Sequence, residues 1–118
     1  MDLPEFINAR LAEAEAAARA VRPGALYAYE EGGGDGWAVE GTDGSPGAII
    51  GDRALAEHIA AWDPAHVLAW CAAMRAAVET CTYYLHNDDR GADPCAAAVL
   101  AHLALAWDAH PDFDPAWR

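Results

Sequence analysis

The sequence predicts a single α+β domain spanning residues 1–118, with about four helices and a small three-stranded antiparallel sheet inserted between helix 1 and helix 2. Three observations carry that reading. Val67, Cys71, Met74, Val78, Cys81 and Leu85 recur at alternating four- and three-residue steps, the spacing of one helix face. Between residues 25 and 50 the apolar period changes to two, interrupted by glycine-rich turns. Asp-Pro pairs at Asp63-Pro64, Asp93-Pro94 and Asp114-Pro115 mark boundaries, because aspartate caps a helix and proline fits its first position.

The first helix starts at Asp2 with Glu5 three residues on, the spacing of a capping box. Leu3, Ile7, Leu11, Ala14, Ala18 and Val21 form its inner stripe with Phe6 beside it, and Pro23-Gly24 ends it. Leu26 to Tyr29, Trp37 to Glu40 and Ala48 to Ile50 read as three short strands, rich in aromatic and β-branched residues. Asp52 caps a second helix with Leu55, Ile59 and Trp62 facing inward. The third helix runs from Pro64 to Leu85, and a fourth covers residues 94–107 with Val99, Leu100, Leu103 and Trp107 inside. The tail is too rich in Pro and Asp for a long helix, and Phe113 and Trp117 are its anchors.

Composition narrows the function. Alanine accounts for 30 of 118 residues, which favours helix and leaves few large apolar side chains for the core. Nineteen acidic residues face seven arginines and no lysine, for a net charge of −12. Such a surface repels phosphate, so direct nucleic-acid binding is not expected. No apolar run approaches the roughly 20 residues of a membrane span, and MDLPEF lacks the basic start of a signal peptide. A cytoplasmic location and reduced cysteines follow as expectations.

No motif carries chemistry. Cys81, His86 and Cys95 could meet where the third helix hands over to the fourth, but their spacing matches no familiar zinc pattern. Ser45, the only serine, has no G-x-S-x-G around it, and GGGDG lacks the basic residue of a phosphate loop. The carboxylate and histidine groupings around His86, Asp88 and Asp89, and around Asp108, His110 and Asp112, read as solvated loops that cap helices. No catalytic residue and no cofactor is expected.

The outward face of the third helix is different. Ala65, Ala69, Ala72, Ala73, Ala76 and Thr80 are almost without charge, where a solvated face carries long polar side chains. Trp70 and Tyr83 flank it. Such a face admits another helix, either the fourth helix of the same chain or one from a second subunit, and the expectation is a non-enzymatic protein-interaction module that takes a protein partner or a second copy of itself, using Ala65, Ala69, Trp70, Ala73, Ala76 and Tyr83, or the tail through Trp117. A second reading is an acidic decoy for a basic nucleic-acid-binding protein. It requires Glu30, Glu31, Asp35, Glu40 and Asp43, or Asp88, Asp89 and Asp93, to form one patch. A third is a small metal-binding protein or hydrolase using His86, Asp88, Asp89, Cys81 and Cys95.

Three blocks, FINARLAEAEAAARA, HIAAWDPAHVLAWCAAMRAAVE and LALAWDAHPDFDPAWR, resemble a family of small actinobacterial and actinophage proteins known as a domain of unknown function. They match in order over nearly half the chain. Two departures stand out. His66 occupies a place where the family typically has Arg, and residues 72–77 are less charged than the family's central helix. The resemblance implies a cytoplasmic protein of an actinobacterium or its phage and implies no activity.

Overall fold

The structure, a computed structural model, describes residues 1–21, 25–31, 36–44, 47–87, 91 and 93–118. The sequence readings that fall on Pro23-Gly24, Asp35, Ser45-Pro46, Asp88 and Asp89 lie outside them. The chain is α+β: α1 (Leu3–Ala20), β1 (Leu26–Glu30), β2 (Trp37–Gly41), β3 (Ala48–Ile49), α2 (Arg53–Ala61), α3 (Pro64–His86) and α4 (Pro94–Ala104). It divides into two compact units, Met1–Glu13 with Cys71–Arg118, and Ala14–Trp70.

In the first unit, α1 opens on the capping box read from the sequence. The Glu5 amide donates to Asp2 Oδ1 and the Asp2 amide to Glu5 Oε2, each at 2.9 Å. Phe6, Ile7 and Leu11 of α1, Cys71 and Val78 of α3 and Leu100 of α4 are the largest fully buried side chains. Burial of an aliphatic or aromatic side chain of this size stabilises by about 1.5–3 kcal/mol. Along α3 the predicted stripe is the covered face: Cys71 and Val78 are buried, while Val67, Met74, Cys81 and Leu85 are half-buried. Ala65, Ala69, Ala72, Ala73, Ala76 and Thr80 are all exposed.

Asp93 caps α4 by accepting from the amides of Cys95 and Ala96. The helix ends at Ala104 and tightens into a 3₁₀ turn over Leu105–Trp107, three residues short of the predicted α-helical end. Its buried row is Ala96, Leu100 and Ala104, and Val99 is exposed rather than inward. The tail folds back as its anchors predict. Phe113 is buried, and the Phe6 ring lies 5.9 Å from Phe113 and 5.0 Å from Trp117.

In the second unit the strands pair antiparallel in the order β1-β2-β3. Tyr27 faces Glu40, Tyr29 faces Ala38, and Ala38 faces Ile49. Side chains alternate across a strand, so Tyr27, Tyr29 and Glu40 share one face while Glu30, Trp37 and Val39 share the other. The Arg53 guanidinium lies 5.1 Å over the Trp37 ring, which places the second face against α2. Gly47 permits β3 to approach β2 closely, since a Cβ there would collide with the Val39 carbonyl.

Asp52 caps α2 as expected, accepting from the Leu55 amide. The helix is nevertheless rotated from the predicted orientation. Ala56 is its buried residue, whereas Leu55 and Trp62 are exposed. α2 packs on β1 and β2, and Ala56 is the residue it buries. Trp62 is the C-cap, at φ −104° and ψ 41°, so it has left the helical register. Val21 is likewise exposed at the end of α1 rather than inward.

Candidate functional site

The Asp63-Pro64 corner positions the surface of interest. Asp63 Oδ1 accepts the His66 amide at 2.7 Å, capping α3, and Oδ2 accepts the Leu26 amide at 2.8 Å. One nearly buried carboxylate, 9% exposed, therefore fixes both the start of α3 and the start of β1. Beside it lies an apolar groove of about 440 Å³ whose lining includes Ala18, Val21, Leu26, Ile59, Trp62 and Val67. Val21 is 49% exposed and Trp62 51% exposed. The Trp62 ring meets His66 edge-on at 4.9 Å. Large apolar side chains that converge on an open groove are the usual mark of a surface meant to be covered.

Two exposed ion pairs lie on α1 and α2. Arg19 Nη2 lies 3.3 Å from Glu15 Oε2 on α1, and Arg53 Nε lies 2.9 Å from Glu57 Oε1 on α2. These exposed pairs add little stability.

The residues singled out in the sequence fall as follows. Ala65, Ala69, Ala73, Ala76 and Tyr83 are exposed and Trp70 is half-buried. Trp117 is half-buried and stacked in the Phe6 and Phe113 cluster, so its ring serves the tail's own packing. Cys81 is half-buried and Cys95 is exposed, and none of the three cysteines is in a disulfide. Among the described residues no group of three or more His, Cys, Asp or Glu is placed to hold a metal ion. Glu30 and Glu40 alternate to opposite faces of the sheet. No helix among the described residues is long and apolar enough to cross a membrane.

Two clusters were not visible in the sequence. Arg10 is 5% exposed, and its Nη1 lies 2.6 and 2.7 Å from the two ring nitrogens of His110. Its Nη2 pairs with Glu13 at 2.8 Å, and the guanidinium covers the Phe6 ring at 5.2 Å. The i, i+4 spacing of Phe6 and Arg10 was the available signal. On the open face of the sheet the Tyr27 hydroxyl donates to Glu40 Oε2 at 3.1 Å. That bond, reinforced by desolvation and the Glu40 charge, raises the Tyr27 phenol above its ordinary pKa.

No curated protein and no solved structure matches the sequence. The family model described as a family of unknown function, DUF6221, matches residues 1–118. The match extends over the whole chain, beyond the blocks that carry the resemblance, and the protein belongs to that family.

Proposed function

We propose that the protein is a non-enzymatic, cytoplasmic protein-interaction module that pairs with a second copy of itself through the Trp62 groove. The observation that carries the reading is the open apolar groove, with Val21 and Trp62 half out of it. A tryptophan presents about 150–250 Å² for burial, so an uncovered one leaves a large hydrophobic gain unused. Trp62 both lines the groove and projects from it. A two-fold arrangement lets each copy place its Trp62 in the other's groove, the self-complementary geometry of an isologous dimer. The lining carries no charged side chain, which favours the like apolar surface of a second copy over a basic partner at this site. Ala65 and Ala69 on the exposed face of α3 allow a second backbone to come close beside it. The remaining negative charge of each copy opposes association at longer range, and salt screens that term.

Light scattering across a concentration series tests the reading. The mean mass rises towards that of a dimer with concentration and with added salt, and Trp62→Asp holds the protein monomeric. A monomer at every concentration and ionic strength rules the proposal out.

A further inference from the structure

We draw no further inference here: the strongest candidate, the Tyr27, Tyr29 and Glu40 cluster on the open face of the three-stranded sheet, carries nothing, because its rings already pack on each other 5.6 Å apart, its carboxylate already accepts the Tyr27 hydroxyl, and nothing in the structure shows what covers it.

Discussion

Asp63 is the aspartate on which the second unit depends most, and replacing it separates two roles that look alike in the sequence. Asp63, Asp93 and Asp114 all precede a proline, and all accept amides of the turn that follows. Only Asp63 also accepts an amide from another element, Leu26 of β1. Asp63→Ala removes a helix cap, which costs about 1 kcal/mol. It also leaves the part-buried Leu26 amide without an acceptor, a further 1–3 kcal/mol or so. The total is about 2–4 kcal/mol. Asp93→Ala removes a cap alone and costs about 1 kcal/mol. Asp63→Asn falls between them, since one amide oxygen replaces two carboxylate oxygens and its NH₂ then faces a donor. Urea unfolding followed by far-ultraviolet circular dichroism measures all three variants on one scale. Equal losses for Asp63→Ala and Asp93→Ala would refute the claim that one carboxylate fixes both elements.

Phe6→Ala removes the ring that the tail packs against and costs about 3–5 kcal/mol, with Trp117 fluorescence shifting to the red as the tail comes away. A variant that loses stability but keeps the blue-shifted emission would mean the tail is held by something else. Gly47→Ala forces a Cβ into the Val39 carbonyl and costs more than about 1 kcal/mol in thermal unfolding, because β3 has to move. Tyr27 titrates above the ordinary tyrosine range, since Glu40 and desolvation both favour the neutral phenol. The folded pKa is the higher one, so this contribution to stability is whole below pH 10, the unfolded value, and is lost as pH rises through the folded value. Absorbance at alkaline pH follows the titration, and Glu40→Gln moves the midpoint back towards that of free tyrosine.

Much of the fold was legible because its causes are local. The four-and-three spacing from Val67 to Leu85 specified which face of α3 is covered, whatever covers it. The capping box at Asp2 and Glu5 and the Asp-Pro pairs placed helix starts, since caps are satisfied within one turn. Phe113 and Trp117 were legible as anchors because a short tail rich in Pro and Asp has few other apolar groups to bury. The orientation of α2 was not legible. Leu55, Ile59 and Trp62 form a stripe as regular as any, but the helix buries small Ala56, and Trp62 has already left the helix. That inversion exposes Trp62 and makes it part of the groove.

Functional features were harder to foresee for a related reason. The second role of Asp63 depends on Leu26 arriving from 37 residues away, and the burial of Arg10 depends on His110, 100 residues away. Neither pairing leaves a trace in a single sequence. The α3 alanines were legible as an uncharged face open to another helix of the chain or to a partner, and they are exposed, while the groove beside the helix N-terminus came from an orientation of α2 that the periodicity did not show.

Self-association through Trp62 is tested most directly by a dilution series of amide and indole NMR spectra. On dilution the Trp62 indole resonance and the amides of Val21 and Ile59 shift together, while the Trp117 indole stays still. Spectra identical at every concentration, or changes centred on Trp117 and the tail, would contradict it.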